Sequence, residues 1–66
     1  MNVVLNGEFR DLAAGTTLGD LLQSIDLGQR RFAVEINEEL VPRSEHADRV
    51  LQAGDRVEIV QAIGGG

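Results

Sequence analysis

The sequence runs from the strand-like Val57-Glu58-Ile59-Val60 into Ile63-Gly64-Gly65-Gly66, which sets an α-carboxylate on a stalk almost free of side chains. Such a carboxyl titrates at about 3.3–3.7, so it is an anion at neutral pH and resists nucleophilic attack. Activation, for instance as a mixed anhydride with AMP, would turn Gly66 into an acyl donor. Glycine lacks Cβ, so its backbone passes a narrow channel and reaches φ/ψ values closed to other residues. Extended, Ile63 to Gly66 reach about 13–14 Å beyond a folded body. The expectation is that Gly66 is the modified residue, while Ile63, Gly64 and Gly65 enter a partner's active site. A frayed tail is the plainer account of such an end, and the rest of the chain must decide between them.

That body is small. A chain of 66 residues makes one domain and buries only about 60% of the surface its unfolded form exposes. Residues 1–62 are expected to form it, with 63–66 as a flexible tail. The sequence has no cysteine and a lone histidine, His46, so it offers neither a disulfide framework nor a metal-ligand set. Missing thiols, no signal segment and no long apolar run lead to a cytoplasmic protein with no membrane role as the expectation. Eleven acidic residues against six basic ones leave a net charge of −5, which opposes nucleic acid and favours a partner with a basic docking surface. All six cations are arginines. An activated Gly66 would therefore meet no lysine ε-amine on its own molecule, although drift in composition explains the same fact.

The elements follow from local chemistry. Asn2-Val3-Val4-Leu5 leads into Asn6-Gly7, a strong hairpin signal, with Phe9 to Leu12 as the returning strand. Thr17 with Asp20 three residues on reads as an N-cap with a capping-box acid. Leu18, Leu21, Leu22 and Ile25 then recur at helical spacing, which predicts one amphipathic helix closed near Gly28. Phe32 to Asn37 alternates as a half-buried strand, and Asn37-Glu38-Glu39 turns the chain into Leu40-Val41, an edge strand ended by Pro42. Ser44 is expected to cap a brief turn through Ala47. The Gly54-Asp55 turn introduces a last strand from Arg56 to about Ala62.

This order predicts an α+β fold: a mixed sheet of four to five strands with one main helix on one face and the last strand beside the first. It is a β-grasp, or ubiquitin-like, architecture. Alternation along the last strand sends Val57 and Ile59 toward the helix, and Glu58, Val60 and Ala62 toward the open face. Val4 should share that open face. Val4, Glu58, Val60 and Ala62 are the candidate docking surface, with Asp55 as a further carboxylate for a basic partner. Arg43, Arg56 and His46 are read as solvated positions without a role.

Asn6-Gly7-Glu8, the Thr17 to Leu22 helix start, Ala33 to Asn37, Val41-Pro42-Arg43, Leu51 to Ala62 and the Gly64 to Gly66 end together resemble the ThiS family, sulfur carriers of thiamin thiazole biosynthesis. The resemblance spans almost the whole chain and is most specific from the Gly54-Asp55 turn onward. It implies that Gly66 is adenylated and then becomes a thiocarboxylate. It also implies three partners: an adenylating enzyme related to ubiquitin-activating enzymes (ThiF type), a cysteine desulfurase or sulfurtransferase, and a thiazole synthase (ThiG type). MgATP would be used by the activating enzyme, and this chain would bind no cofactor and catalyse nothing itself. Sulfur held on an acyl carbon is consistent with a chain that has no cysteine to carry a persulfide.

Two alternatives keep the same end. The small subunit of molybdopterin synthase donates sulfur from a Gly-Gly thiocarboxylate on this fold, and a ubiquitin-like modifier becomes attached to target lysines. An interaction module with an inert tail is a third.

Overall fold

The computed structural model describes residues 1–28 and 31–61. Five strands form one sheet: β1 (Asn2–Leu5), β2 (Glu8–Asp11), β3 (Phe32–Ile36), β4 (Glu39–Val41) and β5 (Arg56–Gln61). Their order is β2-β1-β5-β3-β4. β1 runs antiparallel to β2 and parallel to β5, and β3 runs antiparallel to both β4 and β5. The last strand thus lies beside the first, at the centre of a mixed sheet. β4, ended by Pro42, lies at an edge, where a missing N–H costs no ladder bond.

Two tight turns set the hairpins. Asn6 and Gly7 have φ of 47° and 84°, and Asn37 and Glu38 have φ of 53° and 70°. Paired positive φ values match the right-handed twist of the strands they join. Asn and Gly tolerate this region; a glutamate there is the uncommon choice.

Helix α1 (Leu18–Gln23) opens with the full capping box: Thr17 Oγ1 accepts from the Asp20 N–H at 3.0 Å, and Asp20 Oδ2 accepts from the Thr17 N–H at 3.1 Å. It is six residues long and ends at Ser24, short of Gly28. Local bonds claim the backbone there. Ser24 Oγ donates to the Leu21 carbonyl at 2.6 Å, and Asp26 Oδ1 accepts from the Gly28 N–H at 3.2 Å, the side-chain competition that favours turns over helix. Ile25 packs against the core from beyond the helix end.

The core lies between α1 and one face of the sheet. Val3, Leu5, Leu18, Leu21, Val34, Ile36, Val41, Leu51 and Val57 are buried there. The loop after β4 closes one side of it through a 3-10 turn, Arg43–Glu45, that has no side-chain cap. The expected Ser44 cap is therefore absent, because Pro42 already positions the turn and its carbonyl accepts from the Glu45 N–H at 2.9 Å.

His46 also departs from its expected solvated place. It is buried, its Nε2 lies 3.0 Å from the Val41 carbonyl, and its ring stacks on Phe32 with centroids 6.0 Å apart. The Arg43 guanidinium lies 5.7 Å from the centre of that same Phe32 ring. An imidazole with an apolar ring on its face and a carbonyl at its edge satisfies both halves of its chemistry inside the protein. Arg56 is exposed at the strand edge and pairs with Glu38 at 3.4 Å.

Candidate functional site

The site is approached through the root of the tail. Gly66, Gly65, Gly64, Ile63 and Ala62 lie outside the described residues, so β5 is followed to Gln61, whose carbonyl leads into them. β5 outruns β1: the parallel register pairs Val4 with Arg56 and Leu5 with Val57. Beyond Leu5 the hairpin turn takes over, and Asn6 Oδ1 accepts from the Ile59 N–H at 2.8 Å while the Asn6 N–H donates to the Val57 carbonyl at 2.9 Å. On the other side Gln61 sits opposite Phe32, the ring held by His46 and Arg43. Gln61 Nε2 also donates to the Leu27 carbonyl at 3.3 Å. The end of β5 is thus held by a turn asparagine, a neighbouring strand and the loop after α1.

Asp55 is not a free docking carboxylate. It is buried, with Oδ2 accepting from the Gln52 N–H at 2.8 Å and Oδ1 from Asn37 Nδ2 at 3.0 Å. Asn37 Oδ1 in turn accepts from the Arg56 N–H at 3.0 Å. These bonds start β5 in register. A carboxylate whose oxygens are taken by backbone and amide donors inside the fold is structural.

The face of the sheet opposite α1 carries the other candidates. Val57 is buried and Ile59 packs on the core, while Glu58 and Val60 are exposed, as a two-residue period requires. Val4 is half-buried and shares this face, opposite Arg56 on β5 and Phe9 on β2. Val60 lies four positions beyond Arg56, opposite Ala33. Val4 and Val60 therefore share a surface but are separated along β5. Phe9, 82% exposed, and Leu40, 67% exposed, extend it to the two sheet edges. Neither was singled out from the sequence, although both follow from counting outward through the hairpin turns. Glu35 joins them, opposite both Glu58 and Leu40.

On the helix side, a groove of about 230 Å³ opens between β2 and the loop after α1, with Leu5, Ile25, Leu27 and Ile59 in its floor and Arg10 and Asp26 at its rim. No group of three or more histidine, aspartate or glutamate side chains among the described residues is placed to hold a metal. No helix among them is long and apolar enough to cross a membrane. What the arrangement can do is hold a strand end rigidly beside a broad exposed sheet face.

Known proteins share the whole pattern. The ThiS family model matches residues 3–66. Over 66 residues the chain is 36% identical to the sulfur carrier protein ThiS of Escherichia coli strain K12, covering all of both chains. It is 44% identical over 66 residues to a thiazole synthase of Paramagnetospirillum magneticum, of which it spans only 20%. The crystal structure of the thiamine biosynthesis protein ThiS from Geobacter metallireducens superposes with a TM-score of 0.83 at 29% identity, again over all of both chains. With sequence model, full-length relatives and β-grasp fold in agreement, the chain belongs to the ThiS family.

Proposed function

We propose that this chain is a sulfur carrier of thiamin biosynthesis and delivers sulfur for the thiazole ring as a thiocarboxylate on Gly66. Family membership over residues 3–66, together with full-length similarity to a named sulfur carrier, is the observation that supports it. The chemistry runs in balanced steps. The Gly66 carboxylate attacks the α-phosphate of ATP, pyrophosphate leaves, and an acyl adenylate forms. A persulfide sulfur then attacks the acyl carbon and AMP departs. A thiol cleaves the resulting acyl disulfide, which leaves the thiocarboxylate and a disulfide.

Each step belongs to a partner enzyme. An adenylating enzyme of the ThiF type supplies MgATP, a cysteine desulfurase or sulfurtransferase supplies the persulfide, and a thiazole synthase consumes the product. Relatives named thiazole synthase that contain a matching segment support the last of these. The chain's own part is presentation: residues 1–62 form the handle and 63–66 the arm, with Val4, Glu58, Val60 and Ala62 on the docking side. It binds no cofactor and works in the cytoplasm. The similarity to proteins of the thiamin type favours this reading over a molybdopterin synthase subunit or a lysine-linked modifier.

Deleting Gly65 and Gly66 tests it. The shortened chain should keep its thermal unfolding midpoint and lose ATP–pyrophosphate exchange with the adenylating enzyme. Intact-mass spectrometry of the full chain, purified from cells containing its partners, should show one terminal oxygen replaced by sulfur. Unchanged exchange by the deletion variant would overturn the proposal.

A further inference from the structure

β2 is an open edge of the sheet. Among the described residues no strand pairs with its outer side, and its residues Glu8–Asp11 are all exposed. Which of its peptide groups face outward follows from β1. The Val4 N–H donates to the Asp55 carbonyl at 2.9 Å and the Asn6 N–H to the Val57 carbonyl at 2.9 Å, so Val4 turns its peptide groups toward β5. On the other side the Leu12 N–H donates to the Met1 carbonyl at 2.7 Å. Bonded and unbonded pairs alternate along an antiparallel ladder, which leaves Val4 and Phe9 opposite each other without bonding. Phe9 therefore presents its N–H and carbonyl to the outside, as a template for another strand.

Charged residues commonly blunt such an edge. Their spacing here does the reverse. Glu8 stands opposite buried Leu5 and Arg10 opposite buried Val3, so both side chains lie on the α1 side, while Phe9, opposite Val4, lies on the other. Among the described residues no ion pair engages Glu8 or Arg10. A second antiparallel strand must set outward peptide groups against outward ones. Centred on Phe9, the pairing of two copies sets Phe9 against Phe9, Glu8 against Arg10 and Arg10 against Glu8. Asp11 falls opposite Gly7, which has no side chain to oppose it. Centred on Arg10, the pairing would bring two guanidinium groups together and demand peptide groups that β1 already uses.

We propose that β2 is an edge-to-edge interface with a second copy of this chain, joined about a two-fold axis through the Phe9 pair into one continuous sheet. Such symmetry makes the contact self-complementary, each copy supplying both the acid and the base of a pair. The opposite edge is poorer: β4 is three residues long and runs into Pro42, which has no N–H to give. A ladder this short buries little surface, so the dimer is weak, with a Kd of about 10⁻⁴ M. β1 lies between β2 and β5. Pairing at β2 thus leaves the end of β5 clear, and the interface stands whether or not the chain carries sulfur.

Sedimentation equilibrium of the full chain, carried to roughly tenfold above that Kd, tests it. The wild type should dimerise, and Glu8→Arg or Arg10→Glu alone should weaken self-association at least about tenfold, because each sets like charges opposite one another twice. Both positions are exposed, so Tm should stay within about 2 °C of the wild type. An equimolar mixture of the two variants should associate as the wild type does, since the two arginines of one then face the two glutamates of the other. Net charge alone predicts otherwise: Glu8→Arg makes the chain less acidic and would strengthen association. In nuclear magnetic resonance spectra of the wild type, the outward Phe9 amide should shift with concentration more than the inward Arg10 amide. A wild type that stays monomeric overturns the proposal. So does a Glu8→Arg variant that associates as well as the wild type, a mixture that does not associate, or a concentration-dependent shift centred on Val60 instead of Phe9.

Discussion

Two asparagines at positive φ do more than turn the chain. Asn6 and Asn37, at φ of 47° and 53°, each send a side-chain oxygen to a backbone N–H of β5, Asn6 to Ile59 and Asn37 to Arg56. Asn37 also donates to Asp55. Asn37→Gly keeps the left-handed backbone and loses the bonds, and should cost about 1–2 kcal/mol; Asn37→Ala adds the strain of a Cβ and should cost about 1 kcal/mol more. Urea unfolding of the two variants separates conformation from hydrogen bonding, and equal losses would leave the backbone account without support. His46→Ala should cost about 1–3 kcal/mol by the same measurement, because it strips Phe32 of its stacked ring and the Val41 carbonyl of its partner. The asparagine turns were legible in the sequence, since Asn-Gly and Asn-Glu between alternating runs announce hairpins. Their second role was not. Reaching from Asn6 to Ile59 spans 53 positions, and only the placement of β5 against β1 brings the two together. His46 was misread for a related reason: one histidine in a polar loop carries no period that reports burial.

At the scale of elements, the helix shows what a sequence pattern can and cannot fix. Thr17 and Asp20 marked its start because the capping box is a contact between neighbours in sequence. Its end depended on competition between the i→i−4 ladder and the side chains of Ser24 and Asp26, which periodicity does not report. Six residues are too few to be helical alone, so α1 persists because Leu18 and Leu21 are buried against the sheet. Thr17→Ala should therefore cost about 1 kcal/mol and no more. Gly19→Ala makes a sharper test. Alanine improves helix propensity by about 1 kcal/mol, but a Cβ at Gly19 would stand 3.0 Å from Ala47 Cα and 3.3 Å from the His46 carbonyl oxygen. Both obstacles are backbone and cannot swing aside. We expect a net loss of about 1–2 kcal/mol by thermal unfolding, and a stabilised variant would show that the loop after β4 yields to the helix. The strand pattern needed no such arbitration. A two-residue period assigned Val57 to the core and Val60 to the open face, and the edge position of β4 followed from Pro42.

For the whole molecule, the sheet divides its labour between faces. A domain of 66 residues has about 3–10 kcal/mol of stability in all, so single core residues weigh heavily. Val57 is fully buried on the strand that bonds to both β1 and β3. Val57→Ala should remove about 2–3 kcal/mol and lower Tm by about 10–20 °C. Val60, three residues on and on the opposite face, is exposed and contributes little to the fold. Val60→Ser should change stability by less than about 0.5 kcal/mol. If the exposed face recognises the adenylating enzyme, the consequences for adenylation run the other way. At a temperature where both variants are folded, Val60→Ser raises KM for the carrier several-fold, while Val57→Ala leaves KM near the wild-type value and loses activity only as it unfolds. Measuring exchange and Tm on the same two proteins decides whether this small domain keeps stability and recognition on separate faces of one strand. A rise in KM for the buried variant below its melting range would mean that docking reads the packing beneath the sheet as well as its surface.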